Sequence, residues 1–454
     1  MAGGRAAKWL TAADGLRKPP AWQRRMSSAA RPSGRRRSPF FCPAAGRPLP
    51  AAYPMKRTNG RRWMAAAFSD GVRRVSFVLL FAFLSAAVIR TTLLLDINKE
   101  VFDHKPGRCR PFAELADGGA AYFEDVPALR FLFASDGFRK LAQSGHNSSI
   151  FFLQYPPKSP PKNAGKSAAP SASKSTAFSR AEEKLEFKRL SIRAEKLSLE
   201  DFTPLGIGSH VEGPATQGRY RLHLYVVNAP AGRSPTVEVF LFKPEQSALL
   251  HQHTVRDAAF GSLSDIVVLG AGRFVVSSMF HSTSWIGRVL EAYTQREYGS
   301  LLMHDGKKAT RLVGGLQTPN GLFWDPKKRH LYVSLTFAEA VKIFHLQPDF
   351  EISELTALNL MTSARPAQVE RSGRVPIAHS FLRVLFGHQT ASPSQILRVR
   401  FQGEMSSWVI TEPFANNGTS LPAASGLTIV DDLLLIGGRS GKGLLCKIND
   451  LTYA

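Results

Sequence analysis

The stretch Thr318-Pro319-Asn320-Gly321-Leu322-Phe323-Trp324-Asp325-Pro326, running into Leu331-Tyr332-Val333-Ser334, holds the residue best placed for chemistry. It reads as a short strand, a tight Asp-Pro turn and a second strand. Asn-Gly usually does no more than build a turn, because Gly tolerates positive φ. Here Asp325-Pro326 already supplies the turn, so Asn320 stands where the hairpin opens rather than at its tip. A neutral side-chain carbonyl at that place can ligate a hard cation such as Ca²⁺, provided other strands converge on the same axis. No Gly-x-Ser-x-Gly elbow, P-loop or dinucleotide fingerprint competes with it. No CxxC or Cys/His cluster suggests zinc.

Strands that converge on an axis are what the rest of the chain predicts. From about residue 110 alternating Val, Ile, Leu, Phe and Tyr are separated by Gly, Pro, Asn and Asp. A two-strand unit recurs, starting at Phe131, Leu224, Phe274, Leu331, Leu382 and Leu433. Apart from one long gap, the spacing is near 50 residues, the period of four-stranded propeller blades. The long gap contains Pro156–Ser179, a Pro/Ser/Lys/Ala stretch that cannot pack a core. The expected fold is therefore all-β, a six-bladed β-propeller over 100–454 with a low-complexity insertion at 156–182. A propeller has to be closed, and Cys109 and Cys446 stand at its two ends, so a disulfide between them is expected.

The N-terminal part has a different character. Residues 1–74 hold 17 Lys and Arg against Asp14 and Asp70, so +15 of the formal net charge of +24 sits there. They read as a disordered, solvated basic arm, with no folded nucleic-acid module beside it, and no nucleic acid is expected as partner. Met55 and Met64 offer later starts. Residues 75–95 form an apolar segment interrupted by Arg90, with Arg73-Arg74 just before it. It reads as a membrane-spanning signal-anchor, with cleavage as a signal peptide near Ser85–Ala87 as the alternative. The arginines stay cytoplasmic under the anchor reading, and the C-terminal domain is luminal or extracellular, in the secretory pathway. Asn147-Ser-Ser and Asn417-Gly-Thr then become glycosylation acceptors.

Several motifs in this order resemble the paraoxonase/arylesterase family of six-bladed calcium propellers. They are Thr203-Pro-Leu-Gly-Ile207, Leu224-Tyr-Val-Val-Asn, Ser264-Asp265-Ile266-Val267, Pro319-Asn320-Gly321, and Asn416-Asn417-Gly418-Thr419 running on to Cys446. The resemblance implies calcium-dependent hydrolysis of aryl esters or lactones, with one or two Ca²⁺ ions at the axis. It makes Asn320 a ligand of the catalytic ion, and Asp265 with the Ile207 carbonyl ligands of the structural ion. Ser264 stands in place of a second catalytic-ion Asn. The family's Glu-Asp pair is Glu124-Asp125 only after a two-residue shift; without it Tyr122-Phe123 hold those positions. The family's His-His base becomes Leu205 and Ala229, which cannot move a proton. His388 and His210 are the remaining histidine candidates. A second reading follows from these losses: a catalytically silent propeller acting as a binding or interaction module.

Overall fold

The computed structural model describes residues 60–94, 102–112, 120, 122–137, 148–156, 178, 180–195, 197–214, 219–360, 372–373, 393–402, 405, 407–421, 424–438 and 443–448. The chain divides into two compact units, Met1–Arg73 and Arg74–Ala454. Of the first, residues 60–73 are described, as the opening turns of helix α1.

Helix α1 runs Gly60–Leu94, so it starts well before the apolar segment. Ala65-Ala66-Ala67 and neighbouring Arg, Trp and Met are compatible with helix and extend it upstream. Its window Gly71–Ile89 spans 19 residues with a mean hydropathy of 2.0 and none of it buried, long and apolar enough to cross a bilayer.

Among the described residues the second unit carries six sheets, antiparallel but for one edge strand, the blades of a propeller. Blade 1 is Tyr122–Val126, Phe131–Ser135, Ile150–Gln154 and Lys188–Arg189. Blade 2 is Pro204–Glu212, Arg221–Asn228, Thr236–Lys243 and Ala248–Val255, with Ser191–Arg193 added as an outer strand parallel to Ala248–Leu250. Blade 3 is Leu263–Gly270, Arg273–Ser278, Gly299–His304 and Ala309–Leu316. Blade 4 is Pro319–Asp325, His330–Leu335, Ala340–Leu346 and Ile352–Asn359. Blade 5 pairs Ser394–Gln402 with Ser407–Asn416 and with Ser372–Gly373. Its expected unit start at Leu382 lies outside the described residues. Blade 6 is Ala424–Val430, Leu433–Gly438 and Gly443–Lys447, completed by the early strand Cys109–Phe112.

That last pairing closes the ring. Cys109–Phe112 runs antiparallel to Gly443–Lys447 with Cys109 opposite Cys446. The two cysteines form a disulfide, with Cα atoms 4.0 Å apart. Cys446 is fully buried among Ile396, Phe414, Leu434 and Ile436. The short helix α2, Arg180–Glu183, ties down the closing strand's neighbourhood: Arg110 donates to the Glu182 and Leu185 carbonyls, and Lys447 Nζ meets Glu182 at 2.5 Å.

Blades hold to one another through apolar faces that alternate along each strand. Between blades 1 and 2, Phe131 and Phe133 stack edge-on against Phe242, with centroids 5.7 and 5.0 Å apart, and Phe152 joins them at 4.9 Å. Each such ring withdrawn from water contributes about 1.5–3 kcal/mol. Helix α3, Trp285–Thr294, interrupts blade 3 between its second and third strands. Ser284 caps it by accepting from the Gly287 N–H at 3.1 Å. Trp285, Ile286, Val289 and Leu290 are all exposed, giving this helix an uncovered apolar face.

Candidate functional site at the propeller axis

The innermost strands share a device that turns residues toward the axis. In blades 2, 3, 4 and 6 the ladder slips near the start of the inner strand: between Pro204 and Ile207, Leu263 and Ile266, Pro319 and Leu322, and Ala424 and Gly426; the blade 1 ladder is continuous. A bulge re-aims side chains and breaks ladder hydrogen bonds. Second-strand serines take up backbone groups so released. Ser277 Oγ accepts from the Asp265 N–H at 3.0 Å and donates to the Asn320 carbonyl at 2.6 Å. Ser334 Oγ accepts from the Gly321 N–H at 2.8 Å, and Ser135 Oγ donates to the Leu205 carbonyl at 2.7 Å. Asn320, Ser264 and Asp265 are therefore set by bulges, which explains how a hairpin mouth comes to face inward.

Three buried polar side chains from three blades meet there. Asn320 Oδ1 accepts from Ser264 Oγ at 2.6 Å and from the Tyr122 hydroxyl at 3.2 Å. The Tyr122 hydroxyl and Ser264 Oγ are 2.7 Å apart. Asn320 Nδ2 donates to Thr336 Oγ1 at 3.1 Å. Asp265 lies beside them, its carboxylate oxygens accepting from the Ile266 N–H at 2.9 Å and the Leu322 N–H at 2.8 Å. Burial pushes Asp265 up to about 7, against the pull of those two amides. Gly206 is obligatory at this crossing: a Cβ there would sit 2.4 Å from Asp265 Oδ1 and 2.5 Å from its Cα.

Glu124 and Asp125 follow Tyr122 on blade 1's inner strand, Glu124 close enough to Asp265 for their charges to interact. Without any shift of register, Tyr122 stands opposite Ser135 and reaches Asn320. Glu124 accepts instead from Ser209 Oγ of blade 2 at 2.6 Å, and burial pushes it up to about 8. Asp125 accepts from the Tyr155 hydroxyl at 2.7 Å, and burial raises it to about 6, opposed by that bond and by Arg130. Ile207 is buried on blade 2's inner strand, one residue beyond Gly206. Leu205 is buried in the cluster that also contains Tyr122, Tyr225 and Val227, and Ala229 packs against the same cluster. His210 lies on the same strand opposite His223, toward its outer end, well away from the bulge. His388 and Asn147 lie outside the described residues; Asn417 is exposed.

Tyr122, Ser264 and Asn320 alone do not make a calcium site. Ca²⁺ takes six to eight oxygens and favours carboxylates. Tyr122, Ser264 and Asn320 are neutral, and their oxygens already share hydrogen bonds. Among the described residues, no three His, Cys, Asp or Glu side chains cluster closely enough to hold a metal.

The family model for arylesterases matches residues 174–448 of the chain. The protein belongs to the arylesterase family. Mechanosensory abnormality protein 6 of Caenorhabditis elegans is 28% identical over 401 residues, 86% of this chain and 99% of that protein. Serum paraoxonase/arylesterase 2 of Bos taurus is 26% identical over 265 residues, 58% of this chain and 73% of that protein. A luciferin-regenerating enzyme of solved structure aligns over 75% of this chain and 95% of its own with a TM-score of 0.41 and 10% identity, too slight a likeness to add to the sheets themselves. The chain is thus a divergent arylesterase-family member with propeller blades and a closing disulfide.

Two features of the second unit were not legible in the residues as first read. Tyr122 has the pattern of an apolar β residue, yet its hydroxyl joins the polar centre. Helix α3 carries Trp285, Ile286, Val289, Leu290 and Tyr293 at helical spacing behind a Ser cap, and it sits between two strands of blade 3.

Proposed function

We propose that this protein is a membrane-anchored propeller of the arylesterase family that serves as a binding or interaction module and does not hydrolyse esters. The observation that carries the reading is at the family's general-base positions: Leu205 and Ala229 pack in an apolar cluster with Tyr122, so no side chain there can take a proton from water. The relative matched over 99% of its own length is named for a mechanosensory abnormality, which supports a role other than ester hydrolysis. Purified full-length chain, assayed on phenyl acetate and on lactones with millimolar calcium, should turn over neither above buffer. Calcium-dependent turnover that disappears in Asn320→Ala would overturn the reading and restore the hydrolase.

The anchor is α1, with its unburied 19-residue apolar window. The Tyr293 hydroxyl of α3 donates to the Ala87 carbonyl of α1 at 3.4 Å. That contact supports laying the uncovered face of α3, with Trp285, Ile286 and Leu290, along the same bilayer. The propeller then lies on the luminal or extracellular side. The expected outcome is retention in the membrane pellet at alkaline pH, with an endoglycosidase-sensitive mass shift lost in the double variant Asn147→Gln/Asn417→Gln. Release by alkali, or no shift in the wild-type chain, contradicts this topology.

A further inference from the structure

The buried polar residues at the axis hold parts of the ring together. They connect the parts of the ring that a cation would otherwise join. Tyr122 comes from blade 1, Ser264 from blade 3, and Asn320 and Thr336 from blade 4. All four are buried, with Asn320 1% exposed, so each polar atom needs a partner inside the protein. The partners are one another. Around them Asp265 of blade 3 accepts the Leu322 amide of blade 4, and Ser277 of blade 3 donates to the Asn320 carbonyl. Every bond in the centre crosses between blades or fixes a residue that does.

We infer that the ring is clasped at its axis without a metal, by the Tyr122–Ser264–Asn320–Thr336 hydrogen-bond network, and that folding of this propeller is independent of calcium. Three observations point the same way. The oxygens are already at hydrogen-bond distance from one another, 2.6 to 3.2 Å. The four side chains of the network are uncharged, and the carboxylate beside them, Asp265, is taken up by the Ile266 and Leu322 amides. Glu124 and Asp125, the acids of blade 1's inner strand, bond to Ser209 and Tyr155. Tyr122 also fits on its apolar side, where its ring packs with Leu205, Leu263 and Ile266. A phenol therefore fills the place with both its ring and its hydroxyl. Buried networks of this kind confer rigidity when every member is satisfied.

This inference shares the altered axis with the functional reading but fails separately from it: a chain that bound calcium and hydrolysed nothing would sink the clasp and leave the binding module standing. The test uses the full chain in detergent. It is equilibrated with 1 mM CaCl₂, passed into metal-free buffer, and analysed for calcium by plasma mass spectrometry. Thermal melts are recorded with EDTA and with CaCl₂. The expected result is calcium well below one ion per chain and melting temperatures that agree within about 1 °C, since an ion bound only by the native state would raise the melt. Tyr122→Phe should lower the melt by about 2–4 °C, equally with EDTA and CaCl₂. Tyr122→Phe and Ser264→Ala combined should cost less than the sum of the two, because they remove one shared network. Stoichiometric calcium, or a fall of several degrees on chelation of the wild-type chain, overturns the clasp. So does a Tyr122→Phe chain that melts like wild type. The wild-type comparison stands even if the variants fail to fold.

Discussion

Replacing both cysteines, Cys109→Ala/Cys446→Ala, should destabilise the propeller by on the order of 4–5 kcal/mol, read as a shift in the denaturant midpoint under non-reducing conditions. The bond links residues 337 apart in sequence and thereby encloses nearly the whole propeller. Its main effect in the chain-entropy account is on the unfolded state, which loses more freedom the longer the closed loop. The native state offers a second contribution. Cys109 and Cys446 are partners in a four-residue ladder, and that ladder is what completes blade 6. Without the bond, Cys109–Phe112 is held by its backbone hydrogen bonds, by Phe112 in the core, and by the Arg110 contacts to α2. Each single substitution should cost about as much as the double, since either removes the same bond. A midpoint unchanged by the double substitution, with the wild-type bond verified by mass, would contradict the closure.

The second large effect is expected at Gly206. Its Cα lies so near blade 3 that an added Cβ meets Asp265 Oδ1 at 2.4 Å, Asp265 Cα at 2.5 Å and the Ile266 nitrogen at 2.9 Å. Two of these are backbone atoms of an inner strand that cannot swing aside as a flexible side chain can. Gly206→Ala should therefore cost about 3 kcal/mol or more, as overpacking of a tight interior does at its upper end. Loss of soluble chain on expression is the practical readout. Gly270→Ala is the matched control, because a Cβ at Gly270 meets nothing within 4 Å. It should express and melt near wild type. If Gly206→Ala did so too, the close approach of blades 2 and 3 would be wrong, and with it the position assigned to Asp265.

The blades were legible because apolar alternation and spacing are properties of the chain itself. The repeat units starting at Phe131, Leu224, Phe274, Leu331 and Leu433 coincide with the second strand of five blades, where both faces are covered and the apolar run is longest. The closing disulfide was legible for a related reason, since a ring of sheets leaves its two ends side by side. Inner strands were harder to read. Pro204–Glu212 and Pro319–Asp325 start in bulges, and a bulge shifts side chains by one face without any change in composition. Glu124 sits on a strand without a bulge, and its position hung on a two-residue shift that alternation within one five-residue strand could not decide. Tyr122 likewise counts as one more apolar β residue until its hydroxyl is seen between Ser264 and Asn320. Ser191–Arg193 pairs in parallel with Ala248–Leu250 and so belongs to the second blade, a placement set by tertiary contact rather than by its own pattern.

The most direct measurement is the initial rate of hydrolysis of phenyl acetate and of a simple lactone by the full chain, in saturating calcium, set beside the Asn320→Ala chain under the same conditions. The account predicts superimposable rates at the buffer background, because no base stands at Leu205 or Ala229 and Asn320 is bonded into a neutral network. A wild-type rate well above that of Asn320→Ala, and abolished by chelation, would contradict it and place a working metal centre at the propeller axis.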